Sequence, residues 1–126
     1  MLRKKRKRHF QRIVYRTIHK NKNSGVITGI IYAIDALYDR IIGRTYYLIF
    51  RRDRTIKILD MQVDPDKRRQ GIGTNMWLRV LQDAKEYDCR LIWLLSLESA
   101  VGFWRKLGFR HNPDKRQYGI VMEYGL

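Results

Sequence analysis

The sequence predicts a single α/β domain in which a mixed β-sheet is flanked by helices, and three observations predict it. The chain has 126 residues, the length of one ordinary domain of roughly 100–150 residues. It is 44% hydrophobic and 12% aromatic, enough for one moderate core and too apolar for a disordered chain. Stretches rich in β-branched and aromatic residues also alternate with stretches of helical spacing, in the order β–α–β–β–α–β–α–β. Strands and helices interleaved in this way belong to a layered α/β domain.

The elements follow in chain order. Phe10 to Lys20 (FQRIVYRTIHK) reads as a strand, and Asn21–Gly25 as a polar turn. From Ile27 to Ile41, apolar residues fall at Ile27, Ile30, Ile31, Ile34, Leu37, Tyr38 and Ile41. That spacing favours a helix, although Gly25 and Gly29 weaken its start and IIYAI also reads as a strand. Residues 45–52 (TYYLIFRR) and 55–63 (TIKILDMQV) form two strands about a turn at Asp53-Arg54, an antiparallel pair, and Pro65 closes the second. A helix from Gly71 to Asp88 carries the stripe Ile72, Met76, Val80, Ala84 and Tyr87. The continuous apolar run RLIWLLSL (90–97) is expected of a buried strand. Ser96 is positioned to cap a second helix whose inner face is Ala100, Phe103, Trp104 and Leu107, with Gly108 as its stop. An Asn112-Pro113-Asp114 turn and the strand YGIVMEY (118–124) complete the chain.

Charge narrows the partners. Lys and Arg number 27 against 12 Asp and Glu, a net charge of +15. An anionic ligand or partner is implied: nucleic acid, a phosphate-bearing cofactor, an acidic protein or an anionic membrane surface. Residues 1–8 carry six bases and no acid, residues 9–60 ten bases and four acids, and residues 61–126 eleven bases and eight acids. The excess is therefore front-loaded. Residues 1–9 read as a basic, flexible tail ahead of a domain spanning residues 10–126; a nucleic-acid arm, a membrane-surface contact and a nuclear-localisation-like patch are its other readings. No apolar run approaches the roughly 20 residues of a membrane span, so membrane insertion is not expected. The lone Cys89 excludes an internal disulfide and any multi-cysteine zinc site, and points to a reducing, cytoplasmic setting. His9, His19 and Cys89 show no metal-ligand spacing, so no metal site is expected. Cys89 reads as a small core residue.

The segment ILDMQVDPDKRRQGIGTNMWLRVLQDA carries the chemistry. A strand runs into a loop with two glycines spaced Gly-x-Gly and then directly into a helix. Glycine lets a backbone come close to a phosphate, and the unpaired N–H groups of a first helical turn favour an anion there. Arg68 and Arg69 add charge at the same place. A plain strand-to-helix turn would show the same glycines. Walker A is excluded, because no Lys-Ser or Lys-Thr follows them, and so is the dinucleotide fingerprint, because position 76 is Met.

Two motifs together are more specific. Arg68-Arg69-Gln70-Gly71-Ile72-Gly73 reads as Gln/Arg-x-x-Gly-x-Gly after Val63-Asp64-Pro65, and Ala100-x-x-Phe103-Trp104-x-Lys106-x-Gly108-Phe109 ends the second helix at a Gly-Phe step. The pairing resembles the GNAT (GCN5-related N-acetyltransferase) superfamily over residues 40–124, in its compact single-domain form; VDPDKRRQGIG is similar to the ribosomal-protein alanine acetyltransferase branch. The resemblance implies a GNAT-like acyltransferase domain that takes acetyl-CoA and releases CoA. The backbone around Gln70, Gly71, Ile72, Gly73 and Thr74, with Arg68 and Arg69, would hold the pyrophosphate. Met61, Gln62 and Val63 would bulge and splay from Leu91–Leu95, opening a cleft for the pantetheine arm and offering an N–H to the oxyanion. Phe103, Trp104 and Lys106 would lie on the helix beside the thiol.

Departures from the family pattern bear on catalysis. Trp104 stands where the family places a tyrosine acid, Leu97 where a CoA-contacting asparagine is common, and Lys57 where a base glutamate is frequent. An indole N–H donates a hydrogen bond but is no acid for a thiolate. A thiol has a pKa of roughly 8.5, so its thiolate leaves tolerably without a dedicated acid. A lysine-like amine, with a pKa of about 10.4, is the harder problem, because it must lose a proton before attacking. Asp60 and Glu98 are the carboxylates placed to help, against the plainer reading of each as a solvated or ion-paired residue. Tyr118 and Tyr124 are substitute acids by position.

The function expected is acetyl-CoA-dependent N-acetyl transfer to a primary amine, on a protein lysine or N-terminus by charge, with an aminoacyl-tRNA amine as second choice. Cationic small acceptors fit a +15 protein poorly. The alternative is a GNAT-fold binding module, impaired in catalysis, whose basic N-terminal half docks on nucleic acid or an acidic protein. The oligomeric state stays open, a dimer among the options.

Overall fold

The computed structural model of the protein describes residues 12–115 and 119–126. The basic stretch 1–9, the strand start at Phe10 and Tyr118 lie outside the described residues. Among the described residues seven strands form one sheet: β1 (Ile13–Lys20), β2 (Val26–Asp35), β3 (Arg40–Phe50), β4 (Thr55–Val63), β5 (Leu91–Ser96), β6 (Arg110–His111) and β7 (Ile120–Gly125). Their order is β1-β2-β3-β4-β5-β7-β6. Every neighbouring pair is antiparallel except β4–β5. Two α-helices occur among the described residues, α1 (Ile72–Glu86) and α2 (Val101–Lys106). The parallel β4–β5 pair requires a crossover, and α1 supplies it.

Tight turns build the first four strands. Asn21 adopts a left-handed φ of 61° between β1 and β2, and the Ser24 hydroxyl accepts the Val26 N–H at 3.2 Å. Between β2 and β3 the Asp35 carboxylate accepts the Leu37 N–H at 3.0 Å and Asp39 is left-handed. Arg54 takes that conformation between β3 and β4, as the Asp53-Arg54 turn requires.

The helix expected over residues 27–41 is not formed. Val26–Asp35 is an interior strand and Ile41 lies in β3. The cause is that β2 is apolar on both faces. Ile27, Ile31 and Ala33 are buried in the main core, while Ile30 is buried outside it, on the reverse face. With both faces apolar the two-residue alternation disappears, and the remaining spacing imitates a helix.

One core lies between the sheet and the helices. Ile72, Met76, Val80 and Ala84 of α1 are buried as the stripe requires, joined by Trp77 and Asp83. Tyr87 follows the helix as its cap residue, half-buried. Asp83 is a buried carboxylate because two side chains reach it: Tyr47 of β3 donates its hydroxyl hydrogen, and His19 Nε2 of β1 lies 2.6 Å away. The Tyr47 phenol is raised far above its ordinary value by burial first and by Asp83 second, and so remains a donor. Ala100, Val101 and Leu107 pack against the same core.

Ser96 does not cap α2. It ends β5, its hydroxyl donates to the Leu97 carbonyl at 2.8 Å, and a 3₁₀ turn over Glu98–Ala100 intervenes before α2. Trp104 is the one buried residue of this short helix. Gly108 follows at a φ of 106°, the left-handed stop expected there.

The opposite face of the sheet carries neither helix. β1 and β2 are joined by a turn, and Val14, Ile18 and Val26 on that side stay exposed. No helix among the described residues is long and apolar enough to cross a membrane.

Candidate active site

The site begins with a defect in β4. Tyr46 faces Asp60, but the next residue of β3, Tyr47, faces Ile58, so Leu59 is an extra residue with no partner. Such a bulge bends and twists its strand. The ladder to β5 runs from Thr55–Leu91 to Ile58–Leu94 and stops there, while β5 continues to pair with β7 as far as Ser96. From Leu59 onward β4 and β5 therefore diverge. The splay expected of Met61–Val63 is present, but the bulge that causes it sits at Leu59.

Beside the freed end of β4 lies a cleft of about 1010 Å³, lined from β2, β3, β4, the glycine loop and the two helices. At one end the chain turns from β4 through a 3₁₀ turn, Pro65–Lys67, into α1. Arg69 and Gly71 both have left-handed backbones, at φ 64° and 79°. Gly71 precedes the helix with no side chain capping it, and the first intrahelical bond is Asn75 N–H to the Gly71 carbonyl at 3.0 Å. The amides of Ile72, Gly73 and Thr74 are thus left for an anion. The two glycines differ in purpose. A side chain at Gly71 would meet open space, so its backbone angle is the constraint; a Cβ at Gly73 would lie 3.2 Å from the Phe103 ring and 3.7 Å from Met61 Sδ. Gly73 lets α1, α2 and β4 meet at the cleft wall.

Of the residues singled out by sequence, Met61, Gln62, Val63, Arg68, Arg69, Gly71, Ile72, Gly73, Thr74, Phe103 and Trp104 line this cleft. Gln70, Lys106, Asp60 and Glu98 are not among its lining residues. Gln70, Lys106 and Glu98 are exposed. Asp60 is half-buried and stands opposite Tyr46, which does line the cleft. Trp104 is buried and stacks edge-on with Phe103 and Phe109, at 5.0 and 5.2 Å between ring centroids. Lys57 instead lies over the Trp93 ring at 4.7 Å, and Leu97 is exposed. Tyr124 packs on Trp77 at 5.0 Å, and the Cε2 atom of its ring would meet a Cβ at Gly108 at 3.0 Å. That makes it a core side chain outside the cleft. Cys89 is buried, and burial raises its thiol above the ordinary value, in keeping with a packing role. No group of His, Cys, Asp and Glu that could hold a metal occurs among the described residues.

Sequence reasoning missed the sheet end of the cleft, lined by Tyr32, Arg44 and Tyr46. Tyr32 and Arg44 are direct cross-strand partners, as are Arg44 and Gln62. The Arg44 guanidinium lies 5.7 Å from the Tyr46 ring centroid and donates to Gln62 Oε1 at 3.3 Å. The Tyr32 phenol is raised by desolvation first and by its hydrogen bond with Tyr46 next, with Arg44 working the other way. These residues were hidden by reading 27–41 as a helix. Register with residues 45–52 would have revealed them.

The sequence model of the Acetyltransferase (GNAT) family matches residues 3–109. A search of curated proteins found no match. Among solved structures, PaiA N-acetyltransferase from Thermoplasma acidophilum in complex with coenzyme A superposes with a TM-score of 0.70 at 18% identity, covering 82% of this chain and 63% of that one. A GNAT-family acetyltransferase from Staphylococcus aureus Mu50 gives 0.70 at 23% identity, covering 82% and 70%. Tetrahymena GCN5 gives 0.68 at 16%, covering 78% and 68%. The chain thus spans less than two thirds of the Thermoplasma protein's length.

Proposed function

Because the chain belongs to the GNAT acetyltransferase family, whose reaction draws on acetyl-CoA, we propose that it transfers an acetyl group to a primary amine on a protein, a lysine or an N-terminus. The observation that carries this reading is the continuity of the cleft. It runs from the uncapped α1 start, with Lys67, Arg68 and Arg69, along β4 past Met61–Val63 to Tyr46 on the helix-free face. A phosphate-rich cofactor fits the first end and an amine has access from the second.

Bound acetyl-CoA supplies an activated acyl thioester. The backbone amides of Ile72–Thr74 and the three basic side chains hold its phosphates. Phe103, Trp104 and Met61 exclude water beside the freed end of β4. The β4 edge freed beyond Ile58 offers main-chain N–H groups to a developing oxyanion, a contribution commonly worth about 3 kcal/mol. Asp60 accepts the proton of the incoming ammonium, directly or through water. Trp104 does not act as an acid.

A protein acceptor is favoured over a small one by shape and charge. Among the described residues no helix lies over the sheet face carrying Tyr32, Arg44 and Tyr46, so a broad surface reaches the cleft mouth. The net charge of +15 repels polycations and favours an acidic target in the cytoplasm. Nucleic-acid contact by the basic N-terminal half is compatible with the same reading.

Incubation with acetyl-CoA and lysine-bearing or free-N-terminus peptides tests this, with free thiol and the peptide mass both measured. A gain of one acetyl group on one defined amine is expected, and it should vanish in Gly71→Glu. Thiol release without acetylated peptide would refute the proposed acceptor. One observation favours the binding-module alternative, the buried Trp104 at the position of the family's acid. It predicts coenzyme A binding without turnover of any amine.

A further inference from the structure

The cleft has positive charge at both ends. Lys67, Arg68 and Arg69 stand beside the glycine loop, where phosphates are expected. Arg44 is separate from them in placement: its cross-strand neighbours Tyr32 and Gln62 put it on the helix-free face of the sheet. The glycine loop, in contrast, enters a helix on the other face. Among the described residues the one carboxylate lining the cleft is Asp64, and it is already held by Arg40 at 2.7 Å.

Arg44 itself is exposed, and among the described residues no carboxylate lies within ion-pairing distance of it. Its two contacts orient it without neutralising it. The 3.3 Å bond to Gln62 uses one amino group, and the Tyr46 ring supports the guanidinium at 5.7 Å. The remaining donors of a planar fork suit two carboxylate oxygens. Tyr32 and Tyr46 add hydroxyl groups, and the Tyr32 phenol is raised above its ordinary value by desolvation first and by its hydrogen bond with Tyr46 next, against the lowering effect of Arg44.

We propose that Arg44, Tyr32, Tyr46 and Gln62 form an acceptor subsite that selects a peptide carrying an acidic side chain next to its reactive amine. Arg44 grips the carboxylate bidentately, and Tyr32 donates a further hydrogen bond. That grip orients the amine toward Asp60, which stands opposite Tyr46. The inference rests on the protein-amine reading and adds the sequence context of the target.

Matched peptides test it: one reactive amine flanked by Glu, by Gln or by Lys, assayed for kcat/KM and, separately, for binding by calorimetry to the protein loaded with coenzyme A. The Glu peptide should exceed the Gln peptide about tenfold or more in both measurements, as a charge-assisted bidentate pair allows. Arg44→Ala should bring that ratio close to one. Arg44→Glu should invert it in favour of the Lys peptide. Arg44→Lys, which keeps the charge and loses the fork, should retain only part of it.

A Glu preference that persists in Arg44→Glu would overturn the proposal. So would a loss in Arg44→Ala that falls on coenzyme A affinity, since Arg44 would then belong to the phosphate end. If no peptide is acetylated, the transferase reading fails, while the calorimetric ratio still decides the subsite. Arg44 is exposed, so these variants are expected to fold, and their urea midpoints provide the control.

Discussion

The ring of Tyr47 lies directly on Gly29. A Cβ at position 29 would come within 2.7 Å of ring atom Cε1 and closer still to two other ring atoms. β2 and β3 pair Gly29 with Tyr47 in register, so the glycine makes the space that lets a large phenol lie over the sheet and reach Asp83 of α1. Gly29→Ala should therefore destabilise the fold by about 1–3 kcal/mol through overpacking. Tyr47→Phe keeps the ring but removes a buried bond to a carboxylate, with an expected loss of about 1.5–3 kcal/mol. Urea unfolding of the two variants measures both, and a neutral Gly29→Ala would contradict the contact.

The two glycines of the cofactor loop should fail differently. Gly71→Ala places a side chain in open space at a φ of 79°, so its cost is backbone strain of roughly 1–2 kcal/mol, with a partial loss of coenzyme A affinity. Gly73→Val drives a side chain against Phe103, 3.2 Å from where a Cβ would sit. It should lower affinity more than tenfold by moving α2 from the cleft wall. Calorimetric titration with coenzyme A separates the two. Wild-type protein at about 100 times the dissociation constant should gain about 2.7 kcal/mol of stability.

Asp60→Asn should lower kcat with a peptide acceptor by about 100-fold, in the range of a general base, while coenzyme A affinity changes less than twofold. An unaltered kcat would remove Asp60 from the mechanism.

Glu123 of β7 should contribute to acid sensitivity. Burial works to raise its carboxyl, but hydrogen bonds from Lys115 at 2.5 Å and Asn112 at 2.9 Å overcome this, and the net shift is downward. A carboxyl lowered in the folded state is deprotonated there while the unfolded chain still binds protons. Its stabilisation is complete above the ordinary glutamate value and is lost as the pH falls through the lower folded value. Glu123→Gln should flatten that part of the pH profile of the urea midpoint without altering its neutral-pH slope.

The strand–loop–helix segment was legible because every feature of it is local: the alternating strand, the glycine pair and the stripe from Ile72 to Ala84. The same holds for the Gly108 stop. What escaped depends on residues distant in sequence. β2 is apolar on both faces because β1 and β3 flank it, and that is not visible within residues 27–41. Tyr32 and Arg44 meet only through register, so the acceptor end of the cleft could not be assembled from motifs. Ser96 seemed a helix cap because Ser favours that position, yet the strand extends through it and the 3₁₀ turn begins beyond it.

The unpaired Leu59 also sets the phase of everything after it. Ile56 and Ile58 point to the helix layer, and two more residues of uninterrupted strand would have turned Asp60 inward as well, a lone carboxylate in an apolar interior. One supernumerary residue advances β4 by half a pleat. Asp60 and Gln62 consequently emerge beside Tyr46 and Arg44, while Met61 turns back toward Gly73. Pairing this leucine in a regular strand would exchange the two sets, giving the cofactor side the polar residues and the acceptor side the apolar ones, whereas deleting it would leave both sets in place.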